Sequence, residues 1–457
     1  MPSKTFCALP WIFQAVRNNG MYRVCCQANQ GPERGLMKDA LGLPMRADTH
    51  SIEQARNAAL AKEIRKAMLE GRWHAECIRC KKEEDSGLQS RRIVENRIWR
   101  ETLADHLDVA TKATSEDGTL DLQKAPPVYF DIRFGNKCNL KCRSCGPTDS
   151  SAWYDDYVKL WGLKSYEDAF MQVNLVEDRS GRFNPQNSLY EWYETERFWS
   201  DLLQYGDRLK HLHIVGGEPL LIQQHFDFLE TCVNRGYSSQ IIIEYNSNVT
   251  VLPQRALDLW KHFRMVKIGA SLDGVEGVND YIRFPSRWSQ IETNLRKLDQ
   301  VEGPFRLWIA HTVMALNIVS LPETLAWRFK SNFKRIQSST DLPTLTTHPL
   351  HSPHFLNVKV FPEQVKSRIA DALLAKWPLV ETAIREAEYD EAFKRSSLEK
   401  SRTLIEHFIR FMKSEDYSHL FNKFLFHTRK LDEIRGQRLS ESLPELSSIL
   451  QQCGYSA

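Results

Sequence analysis

From Val128 to about Pro362, short apolar runs alternate with amphipathic stretches. Val128–Phe134, Leu212–Val215, Ile241–Tyr245, Val266–Leu272 and Arg306–Val313 read as five strands, and Phe355–Val360 as a sixth. Helical spacing fills the intervals, most clearly over Leu221–Asn234, which ends at Arg235-Gly236. Strand–helix repetition of this kind predicts a parallel sheet or barrel with its site at the strand C-termini. Residues 163–200 are rich in Asn, Asp, Glu and Tyr and read as an insertion. Upstream, Ser51-Ile52-Glu53-Gln54 has the form of a capping box. A single helix is expected to follow it as far as Gly71, which puts Cys77 and Cys80 on a turn just past its end. Ala104–Pro127 is polar, ends in Pro126-Pro127 and reads as a linker. Beyond residue 365 the pattern is helical throughout.

Composition narrows the class. The chain has 457 residues, 26% charged and 42% hydrophobic. That usage excludes a disordered chain, a collagen and a disulfide-stapled miniprotein. No run reaches the roughly 18 apolar residues that span a bilayer. The apolar stretch Phe6–Val16 contains Pro10, Trp11 and Gln14 and is followed by Arg17, unlike a secretory signal, so a cytoplasmic location is expected. A net charge of +3 gives no global electrostatic reason to expect nucleic acid or membrane. The region after residue 365 holds fifteen Lys or Arg against fourteen Asp or Glu, a solvated surface and not a basic tail.

The ten cysteines change the picture, because eight fall in tight groups. Clustered thiols in a large chain argue for metal or iron–sulfur ligation over disulfides. Cys138, Cys142 and Cys145 form C-x3-C-x2-C just beyond a predicted strand. Three thiolates on one short loop hold three irons of a cubane 4Fe–4S cluster and leave a fourth open to a chelating cofactor. The competing reading is a zinc site with a remote fourth ligand. Cys232 lies on the apolar stripe of a helix and reads as core, and Cys453 stands near the C-terminus.

The triplet resembles the cluster-binding signature of the radical S-adenosylmethionine (radical SAM) enzymes, and other strand ends agree. Gly216-Gly217-Glu218-Pro219 looks like the family's Gly-Gly-Glu-Pro motif, which contacts the amino group of the SAM methionine. Tyr245-Asn246-Ser247-Asn248 stands where relatives carry Thr-Asn-Gly. Ser271-Leu272-Asp273-Gly274, with Asp280 and Arg283 downstream, is similar to the family's Ser-Leu-Asp-Gly strand and Asp-x-x-Arg. The resemblance implies that Asn248, Ser271 and Asp273 face the ribose or carboxylate of SAM, with Arg283 nearby; capping of the next helix is the alternative for each. His311-Thr312-Val313 with Asn317 fits the next strand more loosely. Ser144 departs from the family, which has an aromatic residue there near the adenine; together with Gly146-Pro147 it implies a different adenine contact.

Cys7, Gly20 and Cys25, followed by Cys77-x2-Cys80, resemble the auxiliary-cluster fold of SPASM and twitch domains. Cys7, Cys25, Cys77 and Cys80 would then hold a fully ligated second 4Fe–4S cluster, with structural zinc as the alternative. Cys26 adjoins Cys25 and stays open as the ligand, although the Gly-x4-Cys spacing favours Cys25.

The expected fold is therefore α/β: a partial (β/α)6 TIM-like barrel over 126–365, an N-terminal cysteine-rich cluster domain over 1–125, and a C-terminal helical region over 366–457. The resemblance implies reductive cleavage of SAM to a 5′-deoxyadenosyl radical, which abstracts a hydrogen atom from substrate. It also implies an electron donor such as flavodoxin or ferredoxin. The first expectation for substrate is a peptide or amino-acid residue. A small metabolite or a nucleoside or nucleic-acid base is the alternative, and a non-catalytic zinc scaffold is the alternative from another class. Epimerisation, cross-linking, rearrangement and dehydrogenation all remain open.

Overall fold

Runs of β-branched and aromatic residues that are buried on both faces belong in the middle of a sheet whose faces are covered by helices. Phe13–Val16 and Tyr129–Arg133 follow that rule, whereas Ile242–Ser247 and Phe305–Val313 alternate buried with partly exposed positions. The structure is a computed structural model and describes residues 3–455, except 169 and 337–344. In chain order its strands are β1 Phe13–Val16, β2 Tyr22–Arg23, β3 Tyr129–Arg133, β4 Ser165–Asp168, β5 Met171–Glu177 and β6 Phe183–Pro185. They continue with β7 His211–Val215, β8 Ile242–Ser247, β9 Met265–Ser271, β10 Phe305–Val313 and β11 Thr346–Pro349. The class is mixed α/β with mainly parallel strands, consistent with a partial TIM-like fold. The chain divides into two compact units.

The first unit comprises Met1–Lys137, Asn187–Tyr245 and Asp258–Val266. Its strands lie in the order β8-β7-β3-β1-β2, parallel except for the β1–β2 hairpin. Register sets Asp131, His213 and Glu244 side by side on β3, β7 and β8. His213 Nδ1 is 3.6 Å from Asp131 in this row, and His211 Nε2, two residues earlier on β7, is 3.2 Å from Glu244. The Ser51–Gln54 capping box forms, but the helix it starts is only Ile52–Arg56, and a second helix runs Ala59–Leu69. The break follows from Asn57, whose side chain donates to Leu120 O and accepts from Leu120 N instead of facing solvent. A helix spans Arg91–Lys112, with Trp99 and Leu107 buried on one side, and takes up the first part of the expected linker, Ala104–Lys112. Its amphipathic signal is weak because buried Arg92, Glu95 and Asn96 stand where apolar residues would.

The second unit comprises Cys138–Gln186, Asn246–Leu257 and Lys267–Ala457. Strands β9, β10 and β11 lie side by side, with β10 and β11 parallel. The sixth strand is β11, not Phe355–Val360, which folds as two 3-10 turns, His354–Leu356 and Val358–Val360. Leu356, Val358 and Val360 are apolar because they are core, and a short apolar run cannot distinguish a buried turn from a strand. The expected insertion contributes an antiparallel sheet, β4-β5-β6, to this unit. Helices from Glu363–Ala375 to Pro444–Gln452 complete it, as the pattern after residue 365 predicts.

Candidate active site and second thiol pocket

In the second unit, the cysteine loop is tied down residue by residue. Lys141 N donates to Phe284 O and Arg143 N to Ile282 O, both at 2.8 Å. The Cys142 carbonyl accepts from Trp153 Nε1 at 2.9 Å, and Leu140 O accepts from Ser150 Oγ at 2.5 Å. Two side chains between the cysteines anchor the loop to the rest of the unit. Arg143 is wholly buried, with its guanidinium 3.7 Å from the Tyr281 ring centroid, and donates to Gln437 at 3.0 Å and to Asp432. Asp156 takes Lys141 Nζ at 2.7 Å on one oxygen and Arg435 Nε at 2.8 Å on the other. The helix Phe421–Arg435 thus braces the loop through Asp432 and Arg435.

Polar groups also approach the thiols. Leu140 N lies 3.4 Å from Cys138 Sγ, and Asn248 Nδ2 lies 3.9 Å from it. Arg283 Nη1 lies 3.9 Å from Cys142 Sγ. The Cys145 thiol hydrogen-bonds to Cys142, which pushes the Cys142 pKa down, and Arg283 adds to that effect. None of the ten cysteines is in a disulfide. These three thiols, with N–H and guanidinium donors aimed at two of them, form the donor set that a cluster needs. Such donors tune a cluster by hydrogen-bonding to its sulfurs.

Asn248 sits in the turn after β8, where its side-chain oxygen accepts from Thr250 N and its amide donates to Asn139. Ser271 ends β9 and is half-buried. Asp273 is fully enclosed: one oxygen accepts from Thr312 N at 3.0 Å and the other faces Arg283 Nε at 2.8 Å. Its carboxylate therefore acts through Arg283. Asn317 donates to Asp273 O, and His311 Nδ1 pairs with Leu272 O. Gly146 has no side chain because the Tyr166 ring lies there; a Cβ would be 2.9 Å from Tyr166 Cζ.

The Gly-Gly-Glu-Pro turn lies in the first unit. Gly216 and Gly217 have φ of 90° and 50°, and a Cβ on Gly217 would sit 2.2 Å from Lys137 O. Glu218 N donates to Lys137 O at 2.9 Å. The Glu218 carboxylate is fully buried and caps Leu220 N, while Pro219 opens a short 3-10 turn.

The same unit brings Cys7, Cys25, Cys77 and Cys80 around one pocket with about 430 Å³ of empty space. Cys26 is not among its lining residues. Cys7 is held by the helix Arg91–Lys112. Arg92 and Asn96 both donate to Phe6 O at 2.7 Å, and Asn96 accepts from Ala8 N. Cys77 ends a 3-10 turn, and Cys80 lies within the helix Ile78–Asp85. Burial pushes the Cys77 thiol up to about 12 and raises Cys7 and Cys80. Four thiols that resist ionisation when alone are suited to a cationic iron–sulfur or metal centre that stabilises them as thiolates. Among the described residues no three His, Cys, Asp or Glu side chains converge tightly enough to chelate a single ion.

Sequence reasoning missed Arg143, Asp156, Asp432 and Arg435. Nothing local signals a pairing across 289 positions, such as Arg143 with Asp432. Among the described residues no helix is long and apolar enough to cross a membrane.

A cysteine loop following a strand of a mainly parallel α/β fold defines a cofactor-dependent enzyme class, and the comparisons name it. Residues 132–327 match the Radical SAM superfamily. That match marks a Radical SAM domain over just under half of the chain; it supports a radical SAM enzyme of unspecified reaction, and the family implies a 4Fe–4S cluster and SAM. Among solved structures, Streptococcus suis SuiB bound to precursor peptide SuiA is similar at 13% identity and a TM-score of 0.28. The likeness covers 68% of this chain and 60% of that one. No curated protein matches.

Proposed function

We propose that this enzyme binds SAM at a 4Fe–4S cluster held by Cys138, Cys142 and Cys145 and modifies a peptide or amino-acid residue. The observation that carries the reading is the three-thiol loop, with Asn248 and Arg283 aimed at Cys138 and Cys142, inside a Radical SAM match. When bound, the cluster and SAM supply a 5′-deoxyadenosyl radical that takes a hydrogen atom from substrate. The chain's own residues bind, orient and tune. Arg283, fixed by Asp273, places positive charge beside Cys142 and favours its thiolate. Gly216 and Gly217 keep the backbone free of side chains, and with Glu218 and Pro219 they are assigned to the methionine end of SAM on the family resemblance. Asn248 and Ser271 are assigned to its polar groups on the same basis.

The pocket of Cys7, Cys25, Cys77 and Cys80 is assigned a second, auxiliary 4Fe–4S cluster in a twitch-like arrangement. Its support is that the four thiols line one pocket, with Glu76 and Arg92 beside them. A soluble flavodoxin- or ferredoxin-type donor and a cytoplasmic location complete the reading.

Anaerobic reconstitution tests it. Iron is counted for the wild type and for the Cys138→Ala/Cys142→Ala/Cys145→Ala variant, and dithionite-driven SAM cleavage is assayed on the same samples. The expected result is about eight irons falling to about four, with cleavage abolished. Cleavage that survives the triple variant overturns the assignment.

A further inference from the structure

Beside Cys145, in the second unit, opens a cleft of about 390 Å³, large enough for a substrate group. One wall is the cysteine loop from Arg143 to Pro147, and another is the β4 hairpin with Tyr166, Glu167 and Asp168. Trp161, Phe355 and His427 close it with ring faces. Trp161 and His427 stack with centroids 6.1 Å apart, and Phe355 lies 4.9 Å from His427. These faces already accept a cation, since Lys423 Nζ sits 5.2 Å from the Trp161 centroid and 5.1 Å from that of Phe355. The lysine is exposed and its stem is flexible, so a better cation displaces it.

Two further observations point to a ligand. His427 is 3% exposed, and its Nδ1 is buried without a hydrogen-bond partner. Burial, with Arg143, Arg435 and Lys423 nearby, holds its pKa well below the ordinary range, so the ring is neutral and keeps a lone pair for an N–H donor. On the hairpin wall, Glu167 and Asp168 enter no ion pair among the described residues, and Asp149 lines the same cleft. Arg143 is paired with Asp432, so among the described residues lining the cleft Lys423 meets the two exposed carboxylates of Glu167 and Asp168. The cleft therefore selects positive charge on a flat, stackable group.

We propose that this cleft is the subsite for a guanidinium group of the substrate, the side chain of an arginine residue in a peptide. The assignment rests on the peptide-modifying reading above and adds its side-chain chemistry. A planar guanidinium stacks on Trp161 or Phe355 and still presents N–H groups to Glu167, Asp168 and His427, which an ammonium cannot do in one pose.

Equilibrium dialysis of the reconstituted full-length protein against N-acetylarginine amide tests this. The lysine, norleucine and glutamate analogues and free arginine are run in parallel. The arginine amide is expected to bind at least about tenfold more tightly than norleucine. The Glu167→Gln/Asp168→Asn variant, altered on an exposed hairpin, should lose about tenfold for arginine and nothing for norleucine. Equal binding of arginine and norleucine, tighter binding of the glutamate or lysine analogue, or indifference to the double variant overturns the subsite. Tighter binding of free arginine overturns the peptide source and keeps the guanidinium site. SAM cleavage is scored on the same samples. Cleavage without arginine binding sinks the subsite alone, whereas arginine binding without cleavage sinks the enzymatic reading.

Discussion

Replacing Asp156 by Ala should loosen the cysteine loop from a distance. The Asp156 carboxylate is 3% exposed and holds Arg435, which is fully buried, and Lys141, which is partly solvated. Lys141 can turn to water when the carboxylate goes, but Arg435 cannot. Both Arg435 Nη groups already lack hydrogen-bond partners, and its remaining support is the Trp153 and Phe284 rings, with centroids 4.7 and 5.4 Å from the guanidinium. Stranding a buried charge costs about 3–5 kcal/mol. The solvated lysine and the retained ring contacts put the expected cost near the lower end, about 3 kcal/mol. That corresponds to roughly 150-fold faster local exchange. Hydrogen exchange read by mass spectrometry on a peptide spanning Lys141–Cys145, in apoprotein, measures it directly. The Asp156→Leu/Arg435→Met variant removes both charges and should exchange far less than the single variant. Acceleration below about fivefold for Asp156→Ala, or a double variant as loose as the single one, would refute the brace.

Three other outcomes are expected. Cys25→Ser should lose about four irons on reconstitution while Cys26→Ser keeps them, because only Cys25 lines the four-thiol pocket. Gly217→Ala drives a methyl group to 2.2 Å from Lys137 O at a positive φ; it should lower the urea midpoint by an amount equivalent to about 2 kcal/mol and impair SAM binding in a dialysis assay. In acid, His427 stays neutral in the fold to well below its ordinary value, whereas the unfolded imidazole takes a proton as pH falls through about 6.5. The unfolded state binds more protons in that window, so stability present above about pH 6.5 declines as acidity rises. His427→Phe should flatten that decline in urea titrations between about pH 7 and pH 5.

Five strands were legible because each is a short apolar run ending in a polar turn, and β7 ends at Gly216-Gly217 as its sequence indicates. β11 was not, since Thr346–Pro349 is polar, closes on a proline and owes its place to pairing with β10. The helix Arg91–Lys112 was hidden for a related reason: its inward Arg92 and Asn96 are polar because they grip the backbone of Phe6 and Ala8 on either side of Cys7. The thiols themselves were readable from spacing. Their supports were not, because Asp432 and Arg435 lie far along the chain on a helix whose surface looks like any solvated one. Asp273, for which the resemblance implies a SAM contact and the strand end a helix cap, is enclosed by the fold and pairs with Arg283.

The distance along the chain between Arg143 and Asp432 also sets a clock for synthesis. A ribosome adding about 5–20 residues per second needs roughly 15–60 s to travel from one to the other. Through that interval the cysteine loop is already made, but the helix Phe421–Arg435 that clamps it does not yet exist. Cys138, Cys142 and Cys145 therefore begin life on a loop without its clamp, open to stray metal and oxidant. Delivery of the correct iron is best timed to the arrival of the last helices.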